Sequence, residues 1–136
     1  PVTRLEAAQM LLPLADDQLP APELTDTAEE AARRAAANRF FPLEKGCFAP
    51  RRTISRQEMA TVAMQACGVN YRNASSTMPV CTDVDRVANN YGTNAARALY
   101  FGFMQLEADG HFDPERPVSR KEAVEILDRV ADFAGL

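Results

Sequence analysis

The stretch that decides the fold occurs three times, as PVTRLEAAQML at residues 1–11, TISRQEMATVA at residues 53–63 and PVSRKEAVEIL at residues 117–127. Each copy reads aliphatic residue, Thr or Ser, Arg, any residue, Glu. Counted from the Arg, positions +3, +4, +6, +7 and +10 are apolar in all three copies, which is the spacing of one helical face. The sequence therefore predicts three equivalent helices, over residues 2–16, 54–67 and 118–133.

The hydroxyl residue and the Glu of each copy fit the start of a helix. A capping hydroxyl accepts a hydrogen bond from the N–H three residues on, and a Glu at that third position reaches back to the N–H of the capping residue. This capping box predicts that each long helix begins immediately after its hydroxyl residue. The predicted caps are Thr3, Ser55 and Ser119, paired with Glu6, Glu58 and Glu122.

The arginine of each copy is not explained by capping. Arg4, Arg56 and Arg120 fall at the first helical position, where the helix dipole already provides positive charge. Two interpretations remain open. Each arginine pairs with a carboxylate of a neighbouring repeat, or its guanidinium joins free helix N–H groups in an anion-binding site.

The repeat extends upstream of the second and third helices. GCFAP at residues 46–50 and GHFDP at residues 110–114 stand 64 positions apart, the same interval that separates Arg56 from Arg120. Before these loops, residues 31–41 and 95–105 align at the same interval, and the sequence predicts short helices near residues 27–38 and 93–104. Each short helix follows an opening segment that ends in Thr-Asp.

These elements give one domain over residues 1–136. We interpret it as the final helix of a first repeat followed by two complete repeats, with insertions at residues 69–80 and 86–92 that are expected to be surface loops. The three parts span residues 1–16, 24–69 and 81–136.

The ordered motifs resemble the S-layer homology repeat of bacterial surface proteins. That pattern runs Phe-Ser-Asp-Val, a short helix, a glycine-rich turn, Asp-Gly-x-Phe-x-Pro and then Thr-Arg-x-Glu. CTDV at residues 81–84, DGHFDP at 109–114 and SRKEA at 119–123 match it closely, and the second copy matches more loosely. The resemblance covers nearly the whole chain. It implies an all-α fold, a pseudo-threefold bundle of the three long helices with short helices and loops as prongs.

The resemblance also implies a function. The family anchors surface proteins to the bacterial cell wall without a covalent bond, commonly by binding an anionic, often pyruvylated, secondary cell wall polysaccharide. The expected protein is secreted to the cell surface or cell wall. Its expected partner is that polysaccharide or a peptidoglycan-linked glycan, and other domains of the same surface protein are further candidates.

The alternative is a degenerate module of the same fold that serves as a structural or protein–protein interaction domain without binding glycan. The family often carries a Trp after the Asp-Val element, and this chain has no Trp. The glycine-rich turn is also degenerate in both copies, with Lys45 replacing the Asp before the Gly of the second copy. Tyr91 is either a substitute surface for stacking on a sugar or a packing residue.

Charge is unevenly distributed along the sequence. Residues 31–72 hold eight basic and two acidic residues, a net charge of +6, within a chain whose net charge is −4. Such a local excess of positive charge attracts an acidic polymer. We therefore predict the principal binding site beside Arg56, with Lys45 and Arg52 nearby and with Arg120 and Arg4 as weaker equivalents.

Other functional classes have little support. No Ser/His/Asp set, Gly-rich phosphate loop or spaced acid pair stands out, so neither an enzyme nor a cofactor is expected. One His and three Cys without a C-x-x-C spacing argue against a metal site. The negative net charge opposes nucleic-acid binding, and no apolar run approaches the roughly 18 residues of a membrane span.

The cysteines admit one internal disulfide. Cys67 and Cys81 flank the first predicted insertion. We predict that they pair and that Cys47 stays reduced.

Overall fold

Five α-helices make up the part of the chain that the computed structural model describes, which is residues 1–68, 79, 81–88 and 90–135. They are α1 (Arg4–Leu11), α2 (Glu30–Ala37), α3 (Arg56–Cys67), α4 (Gly92–Tyr100) and α5 (Arg120–Ala134). Single 3₁₀ turns follow α1, at Leu12–Leu14, and precede α4, at Val84–Arg86. These described residues form no β-strand, and the predicted all-α fold class is confirmed.

The helix starts agree with the capping motif. Thr3, Ser55 and Ser119 are extended in backbone conformation, and each hydroxyl accepts a hydrogen bond from the N–H of the Glu three residues on. Only Thr3 completes the reciprocal box, through its own N–H to Glu6. The first long helix is shorter than predicted because Pro13, which has no N–H, lies in the 3₁₀ turn that follows Leu11.

The three helix starts are joined by a closed ring of backbone hydrogen bonds. The N–H of Val2 donates to the carbonyl of Val118 (2.8 Å), that of Val118 to Ile54 (2.8 Å), and that of Ile54 to Val2 (3.1 Å). All three side chains are fully buried. The ring brings together segments that lie 52 and 64 positions apart, and it fixes where each long helix begins. A threefold relation of the whole repeats stays a prediction.

The apolar stripes of the long helices supply the core, with α3 the most enclosed. All five stripe positions of α3 are buried. The expectation of an equivalent stripe on α5 is wrong at Val124, which is 42% exposed. Periodicity defines the apolar face of a helix but not which neighbour covers it. The α2 and α4 helices pack on α1 and α3 respectively, while Phe48, Phe103 and Phe112 fill the space beneath the loops.

An aspartate holds each Gly-x-Phe-x-Pro loop. The carboxylate of Asp26 accepts the N–H groups of Phe48 (2.9 Å) and Ala49 (2.8 Å). The carboxylate of Asp83 accepts those of Phe112 and Asp113, both at 2.8 Å. Ala49 and Asp113 each have φ +55°, a left-handed conformation that is unfavourable for residues with a side chain. The two N–H bonds therefore stabilise a bend that the residue type alone would resist.

The two copies differ by one residue in the turn before this loop. The N–H of Cys47 closes a turn onto Glu44, whereas that of Gly110 closes the corresponding turn onto Glu107. As a result α2 and α4 correspond at an interval of 63 rather than the predicted 64. Both turns need a glycine with positive φ, and a Cβ on Gly110 would lie 3.3 Å from the hydroxyl of Thr82.

The predicted disulfide is not formed. All three cysteines are thiols in the structure. Cys67 is buried in the last turn of α3, where its Sγ donates to the carbonyl of Met64 (3.2 Å). Most of the first predicted insertion, residues 69–78 and 80, lies outside the described residues.

The second insertion is in part a surface segment. Arg86, Ala88 and Asn90 are exposed, but Val87 is buried and Tyr91 half-buried. Among the helices of the described residues, none has the length and apolar character needed to span a bilayer.

The aspartate clamps predict a loss of stability in acid. Burial alone would raise the pKa of Asp83, but the N–H groups of Phe112 and Asp113 outweigh it and hold the pKa below the ordinary value of 3.8. A carboxylate whose pKa is lowered on folding stabilises the native state above its unfolded pKa, and this contribution is lost as the pH falls through the folded pKa. Urea unfolding between pH 7 and pH 3 should therefore show a falling free energy, and Asp83→Asn should flatten that fall. Asp132→Asn, on the exposed face of α5, is the matched control. An unchanged slope in Asp83→Asn would contradict the clamp.

Candidate ligand-binding site

Arg4 lies in a cage made by the loop of the second repeat. Its side chain is 3% exposed. Nε donates to the carbonyl of Phe48 (2.6 Å) and Nη2 to that of Pro42 (2.8 Å), while the guanidinium carbon lies 4.9 Å from the ring centre of Phe41. The guanidinium is thus held by backbone oxygens and aromatic rings rather than by a tight ion pair.

Arg56 repeats this cage with the loop of the third repeat. It is also 3% exposed. Nε donates to the carbonyl of Phe112 (2.6 Å), Nη2 to that of Gln105 (2.7 Å), and Nη1 to the carboxylate of Glu122. Pairing with a carboxylate of a neighbouring repeat was the first interpretation of these arginines, and Glu122 is such a carboxylate.

Arg120 has no such cage among the described residues. Its side chain is 65% exposed, and its Nη1 donates to Glu6 at 2.8 Å. Arg4 lies toward Glu58 at 4.0 Å. Each long helix therefore directs its first arginine toward the third helical residue, a glutamate, of another long helix.

Free helix N–H groups, which the second interpretation needs beside the arginine, are absent from α1 and α3 within the described structure. The N–H groups of Arg56 and Gln57 donate to the carbonyls of Arg116 (3.0 Å) and Pro114 (2.9 Å). Those of Arg4 and Leu5 are bonded to the second repeat in the same way. A ligand at either helix therefore has to be bound by side chains and not by the helix terminus.

A second pair of arginines distinguishes the two loops. Arg116 donates to Glu107 (2.5 Å) and to Glu122 (3.0 Å). Burial alone would lower the pKa of Arg116, but these two carboxylates outweigh it and raise the pKa. Arg52, which occupies the corresponding position 64 residues earlier, donates to Glu58 alone (2.9 Å).

The charge near Arg4 is less well neutralised. Burial lowers the pKa of Arg4, and the positive charge of Arg52 lowers it further. Glu58, the carboxylate between them, is 2.9 Å from Arg52 but 4.0 Å from Arg4. An added anion would relieve the repulsion between these two guanidinium groups.

Two neighbouring cavities open beside this pair. One, of about 130 Å³, is lined by Arg4, Arg52, Glu44, Phe48 and Tyr91 among others. The other, of about 450 Å³, is lined by Arg39, by the polar residues Thr61, Gln65 and Asn90, by aromatic and apolar residues and again by Tyr91. Because Pro42 and Tyr91 line both, the two cavities adjoin, and we call them together the Arg4 groove.

The corresponding cavity beside Arg56 has the opposite charge. It measures about 140 Å³, and its ionisable lining residues are Arg56, Arg129, Glu107, Glu122 and Glu125, which sum to −1. The ionisable lining residues of the Arg4 groove are Arg4, Arg39, Arg52 and Glu44, which sum to +2. When Glu58, which pairs with Arg52, and Arg116, which pairs with Glu107 and Glu122, are included, the sums become +1 and 0. The Arg4 groove is therefore the more favourable of the two for an anion.

The remaining predicted residues lie outside these cavities. Lys45 is exposed in the turn between Glu44 and Cys47, with φ +52°. The sequence drew attention to Tyr91 but not to Arg39, Arg116 or Glu107. The interval of 64 positions between Arg52 and Arg116 was the available signal that these two residues are equivalent. Their different partners are visible only in the structure. No cluster of His, Cys, Asp and Glu in the described residues is arranged to hold a metal ion.

A comparison with protein families identifies part of the chain. The sequence model of the S-layer homology domain matches residues 82–124. Residues 82–124 are therefore similar to the S-layer homology domain. The match runs from the Asp83 clamp through α4 and the Gly-x-Phe-x-Pro loop into α5, so it contains the cage that holds Arg56.

S-layer homology domains are binding modules that anchor surface proteins to the bacterial cell wall. They associate with the cell surface and are not themselves enzymes. A search of curated proteins finds no match to the chain.

The cages predict different costs for the three arginines. Arg56→Ala leaves the carboxylate of Glu122 and two loop carbonyls without their donor, so we expect it to lower the free energy of unfolding by about 3 kcal/mol. Arg120→Ala removes an exposed ion pair and should change the free energy little. Urea unfolding at pH 7 measures both variants. Equal losses in the two would contradict the difference between a caged and an exposed arginine.

Proposed function

We propose that this chain anchors a surface protein to the cell wall by binding an anionic secondary wall polysaccharide in the Arg4 groove. The observation that carries the proposal is the incompletely neutralised pair of guanidinium groups on Arg4 and Arg52, which share the single carboxylate of Glu58 among the described residues. A carboxylate, such as the pyruvyl group of a modified sugar, matches the guanidinium in charge and in hydrogen-bonding geometry.

The residues of the groove have distinct roles in this proposal. Arg52 is half-exposed, with 49% of its side chain accessible, and it makes the direct contact with the ligand carboxylate. Arg4 is buried, so it adds positive charge from below while Phe48 and Pro42 hold it in place. Tyr91 provides a ring beside both cavities for the apolar face of a sugar. Lys45 is exposed and follows the groove residue Glu44 in the sequence. It contributes to the long-range attraction of the anionic polysaccharide.

This assignment reverses the ranking expected from the sequence. There Arg56 was the principal residue, with Arg4 and Arg120 as weaker equivalents. Glu122 already pairs with Arg56 and Arg116, and Glu107 already pairs with Arg116. An anionic ligand beside Arg56 therefore has to displace these carboxylates. Arg120 is exposed, but it begins α5 and does not line the Arg4 groove. It stays a candidate for a peripheral contact with the polysaccharide.

A second candidate function is a scaffold or protein-interaction module that binds no glycan. It is favoured by the internal cages of Arg4 and Arg56, which account for two of the repeated arginines without a ligand. The two functions make different predictions for an exposed arginine that contributes little to folding.

Arg52→Glu tests the binding proposal. We expect retention on purified wall polysaccharide to weaken about tenfold, because an attraction becomes a repulsion. Since exposed charges are screened by salt, the parent should lose retention as ionic strength rises and the variant should depend on salt less. Affinity co-sedimentation at low and high salt measures both.

Arg116→Glu is the matched control, because Arg116 occupies the same position in the next repeat beside an acidic cavity. It should leave retention nearly unchanged. If Arg52→Glu binds wall material as well as the parent at every salt concentration, the groove assignment is wrong. If the parent itself is not retained, the scaffold function is the better account.

A further inference from the structure

The turn before the Gly-x-Phe-x-Pro loop is one residue longer in the third repeat than in the second. It reads Glu-Lys-Gly-Cys at residues 44–47 and Glu-Ala-Asp-Gly-His at residues 107–111. Beyond this turn the two copies stay in register, so Arg52 and Arg116 each lie two residues after the Pro of their loop. The extra residue therefore lies between a glutamate and an arginine that are otherwise equivalent in the two repeats.

The extra residue changes how the backbone of the glutamate is bonded. In the shorter turn both the N–H and the carbonyl of Glu44 are bonded to Cys47, at 3.3 and 2.9 Å. In the longer turn the N–H of Glu107 donates to the carbonyl of His111 (2.8 Å), but the carbonyl of Glu107 accepts from Gly110 (2.9 Å). Because the rotamers open to a side chain depend on its own backbone, the two turns direct their glutamate side chains differently.

The two glutamate carboxylates accordingly have different partners. Glu107 accepts from Nη2 of Arg116 at 2.5 Å and lies 3.9 Å from Nη1 of Arg56. Glu44 is exposed, and among the residues that the structure describes it forms no ion pair with Arg52. The longer turn thus brings its glutamate onto the arginine that follows the loop, and the shorter turn does not.

The charge of Glu107 is the amount by which the two sites differ. With the paired residues included, the ionisable groups sum to +1 at the Arg4 groove and to 0 at the corresponding cavity of the third repeat. Neutralising Glu107 makes the two sums equal. Arg116 then keeps one carboxylate, that of Glu122 at 3.0 Å. Arg52 keeps one in the same way, that of Glu58 at 2.9 Å.

We propose that the length of this turn decides whether the arginine after the loop can bind the carboxylate of an acidic polysaccharide. In the third repeat the longer turn holds Glu107 on Arg116, where it takes the place of a ligand carboxylate and closes the site. In the second repeat the shorter turn leaves Arg52 available. The proposal rests on the proposed function for the ligand of Arg52, but the closing of Arg116 does not depend on any polysaccharide.

The test measures carboxylate binding at Arg116 directly. Acetate is titrated into the full chain at constant ionic strength while the Nε–H resonance of Arg116 is followed by NMR. Glu107→Gln removes the competing carboxylate, and deletion of Ala108 gives the third repeat the shorter turn. Each change should lower the acetate concentration for half-saturation at Arg116 by at least about threefold, the scale of one exposed ion pair.

Glu125→Gln is the matched control. Glu125 lines the same cavity as Glu107, but within the described residues it forms no ion pair with Arg116. Its substitution should leave the half-saturation concentration nearly unchanged. Equal effects of Glu107→Gln and Glu125→Gln would show a general effect of charge and overturn the proposal. A folded Ala108 deletion that binds acetate no better than the parent also overturns it, because turn length would then not close the site.

A reciprocal variant keeps the proposal falsifiable if the deletion prevents folding. It inserts an alanine after Glu44 and adds Lys45→Asp, because in the longer turn the carboxylate of Asp109 accepts the N–H of His111 (3.1 Å). Acetate binding at Arg52 should be at least about threefold weaker than in Lys45→Asp alone. Equal binding in these two variants overturns the proposal.

The acetate titrations also separate this proposal from the proposed function. They involve no polysaccharide, so a parent that is not retained on wall polysaccharide contradicts the proposed function alone. A retained parent in which neither Glu107→Gln nor the Ala108 deletion changes acetate binding contradicts the role of the turn alone.

Discussion

The closed ring of hydrogen bonds among Val2, Ile54 and Val118 fixes the starting points of all three long helices. Each of these residues both donates to one neighbour and accepts from the other, so no helix start can shift without breaking two of the three bonds. Because the caps and the arginines follow within two residues of the ring, their positions are fixed by it as well. The cages and the grooves depend on that geometry.

The same motif produces two different electrostatic environments on this frame. Arg4 and Arg56 lie in equivalent cages, but the residues around them differ. Glu107 and Glu122 converge on Arg116 beside one cage, while Arg52 beside the other pairs with Glu58 alone among the residues that the structure describes. In the proposed function, binding specificity therefore resides not in the repeated arginine itself but in residues outside the motif that decide whether its charge is neutralised.

Local signals in the sequence predicted the helix starts well, since a hydroxyl followed by Arg-x-Glu satisfies its own backbone. They could not predict the exposure of Val124, because the apolar face of a helix does not show which element packs against it. The partners of Arg56 are loop carbonyls and a carboxylate more than 45 positions away, and no periodicity encodes them. The predicted Cys67–Cys81 pairing was wrong as well, since proximity along the chain does not determine whether two thiols are joined.

One peptide group links successive repeats directly. The N–H of Phe112 is held by Asp83 of its own repeat, and the carbonyl of Phe112 is held by Arg56 of the repeat before. In the same way, the N–H of Phe48 donates to Asp26 and the carbonyl of Phe48 accepts from Arg4. A repeat that opened alone would expose the arginine of its predecessor and break the loop of its own. The repeats are consequently not independent units in series, as in an extended solenoid. They should unfold together in a single cooperative transition, so a module under mechanical load yields all at once or not at all.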